Sequence, residues 1–368
     1  MPLSKSVAKS ITDDTITTDQ IADTSVHGRR NLVINGAMQV AQRGTSATVT
    51  TGTGPQTCDR FFVEAASSGT FSITQSTTSP DGFANSLKFD CTTADASPNY
   101  LLFGYRFEGQ DVQNLKKGTS GALSTTLSFY VRSSKTGTYQ VNLRDIDNGR
   151  IIGATYTISS ADTWELKTVT FAGDTSGTLG NDTGNSLTIE WWLAAGSTYN
   201  SGAVPTAWEA TANGDRAAGL SVAIGASTDD DFHITGVQLE VGEQATPFEH
   251  RSFADELARC QRYFFAQQAV DGEDYYAFGM GAAENSGTFR GLSRFPVTMR
   301  IEPSLTATAS NTFFTQGFTP DGTTVSLDQS GRDCAYCTVF GSGGTAGYAG
   351  RWLADNTDAA YLFWSSEL

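Results

Sequence analysis

The chain has 368 residues, 24 basic against 39 acidic side chains for a formal net charge of −15, and 17% charged, 11% aromatic and 38 glycine residues. That balance excludes a nucleic-acid partner, because a phosphate-binding surface needs clustered Lys and Arg, and the nearest candidates, Arg29-Arg30 and Lys116-Lys117, read as solvated turn charges. No run of about 18 apolar residues occurs and the opening MPLSKSVAKSITDD has no apolar signal stretch, so neither membrane insertion nor secretion is expected. The rest is composed as an all-β protein, many short strands joined by turns.

Residues 1–30 differ in pattern from the rest of the chain. Ile11, Ile16, Ile21 and Val26 recur every five residues in SITDDTITTDQIADTSV, a period that suits neither a strand nor a helix. Such a segment cannot bury its isoleucines alone. It is read as an extended docking segment that needs a partner or copies of itself, although its composition also permits a loose tail. From Asn31 the pattern turns to β. NLVINGAMQV carries the tight-turn pair Asn35-Gly36, and about a dozen short strand patterns come after it, from CDRFFVEA to FHITGVQLEV, which suits a jelly-roll β-sandwich over residues 31–250. Its last strand places Ile234, Val237, Leu239 and Val241 in a mostly alternating run that Gly242 ends.

Ser252 with Asp255 three residues on makes a capping box, so a short connecting helix is expected over residues 251–266. Phe253, Leu257, Cys260 and Phe264 fall on one face of it, a stripe that either meets copies of itself or packs between two β regions of one chain. Residues 267–368 hold about eight further strand patterns, a small C-terminal β-sandwich. The GSGGTAG run at 341–347 is a loop without the spacing of a dinucleotide fingerprint.

Residues that carry chemistry are sparse in pattern. His27, His233 and His250 are far apart and lack metal-site company, so no catalytic metal and no cofactor is expected. Glu64, Asp145, Asp147, Glu190 and Glu209 form a glycosidase pair only by free choice. Asp145-Ile146-Asp147-Asn148-Gly149 and Asp229-Asp230-Asp231 have some of the oxygen spacing of a calcium loop, but a plain turn is the preferred reading over a structural calcium. Of five cysteines, Cys58, Cys91 and Cys260 sit singly in apolar patterns, and Cys334 and Cys337 are preferred as two thiols of a strand over a redox or zinc pair. Trp191 and Trp192 are adjacent on a strand and must face opposite ways. Trp192, Trp208, Tyr348 and Trp352 are the candidates for stacking on a sugar ring. Each taken singly is preferred as core, and one exposed aromatic platform is expected from the set.

Three stretches carry a family resemblance. RNLVINGAMQVAQRGTS followed by CDRFF resembles the opening of the β domain of tailed-bacteriophage tail fibre proteins, particularly those of phages and prophages of marine bacteria. FHITGVQLEVGEQATPFEHRSFADELARCQRYF resembles the joint that closes that domain, and TITTDQIADTSV is similar to the segments by which fibres begin near the particle. The last 100 or so residues match only loosely, around SRFPVTMRIEPSLTAT, and Phe61 stands where the group usually has Trp. The resemblance implies a non-enzymatic virion protein, made in the host cytoplasm and displayed on the phage tail. It implies a homotrimer held through residues 1–30 to a tail or particle protein, with residues 267–368 as a tip domain and host-surface glycan as the outward partner. The helix stripe would then lie near the three-fold axis or between the domains of one chain. The alternatives kept beside it are a fibre or decoration protein that touches no receptor, and a polysaccharide depolymerase.

Overall fold

Where Leu87 and Phe89, or Leu127, Phe129 and Val131, alternate with polar neighbours, the apolar members are all buried in one core and the polar ones face outward. The computed structural model describes residues 30–269, 275–308, 313–315 and 324–368, so Ile11, Ile16, Ile21 and Val26 lie outside the described residues. The fold is all-β. The first eleven strands are β1 (Ser46–Pro55), β2 (Phe61–Ser76), β3 (Ser86–Thr93), β4 (Tyr100–Glu108), β5 (Thr125–Ser133), β6 (Gly137–Asp145), β7 (Arg150–Ile158), β8 (Glu165–Phe171), β9 (Asn185–Ala195), β10 (Glu209–Ala210) and β11 (Asp231–Val241). They pair antiparallel in the order β10-β7-β6-β9-β4-β2-β3-β11-β5-β8, with β1 alongside β2.

The long strand β2 makes this a jelly-roll sandwich. Residues 61–66 pair with β4 and residues 70–76 with β3, so one strand serves both layers. Rings fill the space between them: Phe129 of β5 meets Trp191 of β9 at 5.8 Å, and Phe89 of β3 meets Phe103 of β4 at 4.9 Å.

NLVINGAMQV keeps its turn, with the Met38 amide donating to Asn35 O at 2.9 Å, but it is no strand. Asn35 and Met38 have φ of 62° and 55°, which ends any ladder, and side chains replace it. Asn31 Oδ1 accepts the amides of Val33 and Leu239, and Asn35 Nδ2 donates to Val40 O and Asp59 O. Gly36 lies so close to β11 that a Cβ would stand 2.1 Å from the Val237 carbonyl oxygen.

Helix α1 (Ser197–Asn200) is a single turn, and α2 (Phe253–Gln261) is the expected connecting helix, shorter than residues 251–266. Ser252 Oγ accepts the Asp255 amide at 3.2 Å, the cap expected from sequence. Of the stripe, Cys260 is buried and Leu257, partly buried, packs on the core of the same chain's large sandwich. Phe253 is 56% exposed, and Phe264 belongs not to the helix but to β12 (Phe264–Gln268), with the Arg43 guanidinium 3.5 Å above its ring. Glu256 fixes the helix by accepting from the Asn35 amide and from Arg251.

Beyond β12 come β13 (Ala277–Asn285), β14 (Thr288–Arg294), β15 (Ser304–Ala307), β16 (Phe313–Thr315), β17 (Val325–Ser330), β18 (Cys334–Phe340), β19 (Ala349–Ala354) and β20 (Tyr361–Ser365). They form the sheets β16-β19-β13-β14-β18-β17 and β12-β20-β15 around a second core that contains Phe278, Phe289, Trp352 and Trp364.

Arginines suture this C-terminal unit to the large sandwich. Arg262 makes a two-pronged pair with buried Glu108 at 2.8 and 2.7 Å, and Arg60 lies 3.4 Å over the Tyr263 ring with Nη1 at 2.7 Å from Glu367. Arg300 donates to Ser366 O, Thr183 O and Glu367 O, each at 2.6 Å. Beneath them sits Asp59, whose carboxyl is pushed up to about 6 by burial, against the pull of Arg43 and Gln42. A raised folded pKa means that Asp59's favourable contribution is complete below about pH 4 and is lost as the pH rises through about 6. Asp59→Asn is therefore expected to gain on the parent by up to about 3 kcal/mol between pH 4 and 7, read from urea midpoints. A constant difference across that range would show Asp59 ionised throughout.

Candidate functional site

The outer face of β11, β5 and β8 carries the second consequence of strand alternation. With Phe129 and Val131 inside, Ser128 and Tyr130 point out, and Tyr130 stands in register with Thr235 on β11 and Leu166 on β8. Two loops wall this face. In the β2–β3 connection, Ser79 Oγ donates to Phe83 O at 2.6 Å and the Phe83 amide donates to Pro80 O at 3.1 Å, which presents Phe83 over the sheet. After β11, Glu240 accepts from the Thr246 amide and hydroxyl at 2.9 and 2.6 Å, and Gln238 Oε1 accepts the Glu249 amide at 2.8 Å. The outward polar residues of β11 thus hold Phe248 and His250 in place.

Four rings converge there. Phe83 lies 5.5 Å from Tyr130, 5.1 Å from Phe248 and 5.2 Å from His250, and Phe248 lies 4.9 Å from His250. Gly236, at φ 62°, makes room: a Cβ there would come within 2.8 Å of the Phe83 ring. The result is a cleft of about 510 Å³ whose lining also includes Asp81, Ser128, Leu166 and Thr246. Aromatic faces beside a few hydroxyls and one carboxylate form a surface for a ligand that has C–H faces and hydroxyl edges, at a volume typical of ligand clefts.

The residues singled out from sequence do not meet in this cleft. Trp192 has 0% exposure, with Tyr199 at 5.1 Å and the Arg216 guanidinium at 4.9 Å from its ring, so it cannot touch a glycan. The segment after β9 folds back and covers it, an outcome the strand pattern alone does not encode. Trp352 is also at 0%, in the C-terminal core. Trp208 is half-buried against the large core, donating its indole N–H to Ala172 O at 2.7 Å. Tyr348 is 52% exposed but belongs to the C-terminal unit. In that unit the outer face of the six-stranded sheet forms an open groove of about 530 Å³, lined by Met280, Leu292 and Tyr336 among others. Sequence reasoning does not single out Phe83 and Phe248. Their signals are the turn Pro80-Asp81-Gly82 just before an aromatic, and the irregular TPFEH after a strand.

The calcium reading is resolved by a lysine. Lys117 is not a solvated turn charge: it is buried, its ammonium pairs with Asp145 and with Asp174 at 3.0 Å, and it donates to Ser176 O at 2.9 Å and Gly177 O at 3.0 Å. Arg150 adds a 2.7 Å contact to Asp174, and the Trp208 ring lies 5.0 Å from the ammonium. The oxygens a cation would take are thus held by the chain's own cation. Asp230 is likewise paired, with Lys135 at 2.8 Å. Among the described residues, no group of three or more His, Cys, Asp and Glu is placed to hold a metal. Burial alone would push the carboxyls of Asp174 and Glu190 up. Arg150 and Lys117 at the first, and Arg216 and Arg144 at the second, more than reverse this, so both contribute stability above the usual carboxylate range that is lost as the pH falls.

Two further arrangements resemble catalytic groupings without completing one. Ser86 Oγ lies 3.1 Å from His233 Nδ1, and His233 Nε2 lies 3.7 Å from Asp231, but Ser86 is buried and its hydroxyl donates to Thr78 O at 2.6 Å. All five cysteines are free; Cys334 and Cys337, three apart on β18, point to opposite faces, and burial pushes the Cys337 thiol up to about 12.

No family model matches the chain, and no curated protein matches it. Similar solved structures include tailspike protein 4 of bacteriophage CBA120, at 12% identity and TM-score 0.31 over 59% of this chain. The match spans 22% of the length of that tailspike chain. A family 11 carbohydrate-binding module from Clostridium thermocellum has 11% identity and TM-score 0.28, over 55% of this chain and 98% of that one. The CBM22-1 xylan-binding domain of Paenibacillus barcinonensis Xyn10C has 8% identity and TM-score 0.30, over 60% of this chain and 100% of that one. Overlaps of this size are of general outline and leave function to the chain's own geometry.

Proposed function

We propose that this chain is a non-enzymatic fibre protein of a tailed-phage particle and that it binds carbohydrate of the host surface in the cleft of the large sandwich. One observation carries the binding role: Phe83, Tyr130 and Phe248 converge with hydroxyls and Asp81 over the outward face of a rigid sheet. Rings that pack on the apolar face of a sugar, with polar groups at their rim, are what a pyranose ligand requires. Hydrolysis of a glycosidic bond calls on two carboxyl groups, and among the described residues lining the cleft Asp81 is the one carboxylate. In this reading residues 1–30 hold the particle and three copies act together, so that weak single contacts gain from high effective concentration.

The test pairs a glycan array with light scattering on the full chain. Phe83→Ala/Phe248→Ala is expected to weaken carbohydrate binding at least about tenfold, since buried ring contacts of this kind are worth more than about 1 kcal/mol each, while leaving the melting temperature close to that of the parent. Unchanged binding by the double variant would remove the cleft from the reading. A monomer in solution, from protein with residues 1–30 intact, would remove the trimer.

A further inference from the structure

We infer that the cleft is selective for uncharged glycan and discriminates against chains bearing uronate, sialate or sulfate; this rests on the carbohydrate reading above. Among the described residues the lining includes neither Lys nor Arg, and its one formal negative charge is the exposed carboxylate of Asp81. Recognition of an anionic sugar uses a guanidinium or ammonium free to make charge-assisted hydrogen bonds. Among the described residues, the cations that border this face are already engaged. Arg132, two residues from Tyr130 on the outward side of β5, lies 2.8 Å from Asp162 and 3.5 Å from Asp231. Lys88 on β3 lies 2.9 Å from Asp90. Arg30 donates to Pro247 O at 2.5 Å and lies 3.9 Å from Glu240. An anionic ligand would therefore bring its charge toward Asp81 on a chain of net charge −15, with no guanidinium or ammonium among the described lining residues to offset it. A neutral sugar meets no such cost. Asp81 can accept from its hydroxyls, Tyr130 can donate or accept, Thr246, whose own proton goes to Glu240, can accept, and the Phe83 and Phe248 rings take the apolar face.

The experiment is titration calorimetry of the full chain at about pH 8, above the ordinary imidazole range. The probes are neutral hexa-oligosaccharides of glucose, mannose and xylose, set against oligogalacturonate and a sulfated oligosaccharide of matched length. The expected result is at least about a tenfold preference for a neutral probe at low salt, narrowing as salt screens the repulsion. Asp81→Lys is expected to erase that preference, with Asp81→Asn intermediate. Equal or tighter binding of an anionic probe to the parent overturns the selectivity and leaves the carbohydrate reading standing. Binding of neither class, together with a silent glycan array, overturns both.

Discussion

Lys117→Ala is expected to lower the unfolding free energy of the large sandwich by about 3–5 kcal/mol, the cost of leaving buried carboxylates without their counter-charge. Asp145 and Asp174 are both buried, and the Lys117 ammonium is the cation that pairs with both, Arg150 adding a contact to Asp174. Lys117→Met, which keeps the length of the side chain and removes its charge, should be comparably damaging and so separates loss of charge from loss of packing. In the alanine variant the vacated oxygens of Asp145, Asp174, Ser176 and Gly177 are of the kind a calcium ion takes, so added calcium should recover part of the loss. In the methionine variant the space stays filled and calcium should do nothing. Denaturant midpoints with and without calcium read all of this, and a loss under about 1 kcal/mol in both variants would show that the cage is not a buried ion network.

Arg60→Met is the second large effect, expected at about 3 kcal/mol, and its location is the joint. Arg60 Nη2 donates to Arg106 O at 2.7 Å, its plane covers Tyr263, and Nη1 meets Glu367, which also contacts Arg43 at 3.0 Å. Removing the guanidinium strips Glu367 of one partner and the Tyr263 face of its cover. In the cycle with Glu367→Gln, the double variant should cost well under the sum of the two single ones, with a coupling above about 1 kcal/mol. Additive losses would mean that Arg60 acts through packing alone. Proteolysis gives an independent readout: the segment between the two β units should become more readily cut in Arg60→Met than in the parent.

What the sequence made legible was local. The Ser252 cap, the Gly242 stop and the alternation of Ile234, Leu239 and their neighbours are each written within a few residues, and the fold obeys them. What it concealed depends on residues that meet across the chain. Trp192 stayed a candidate platform beside its preferred reading as core because the segment that returns over it, carrying Tyr199 and Arg216, has no period of its own. Lys117 looked solvated because its partners lie 28 and 57 positions further on, at Asp145 and Asp174. The helix stripe was right for Leu257 and Cys260 as an apolar face and left open what covers it, since period reports that a face is buried and not by which chain. The cleft was hidden for the same reason: Phe83 and Phe248 come from loops on either side of β11, joined only when that strand enters the sheet between β3 and β5.

The central claim is that the cleft of the large sandwich holds carbohydrate, and a crystallographic difference map from protein soaked with the tightest-binding oligosaccharide tests it most directly. The expected density is a sugar ring against Phe83 and Phe248, with hydroxyls within hydrogen-bond distance of Asp81 and Tyr130. Density confined to the Met280 and Tyr336 face of the C-terminal sheet, with the cleft empty, would contradict it.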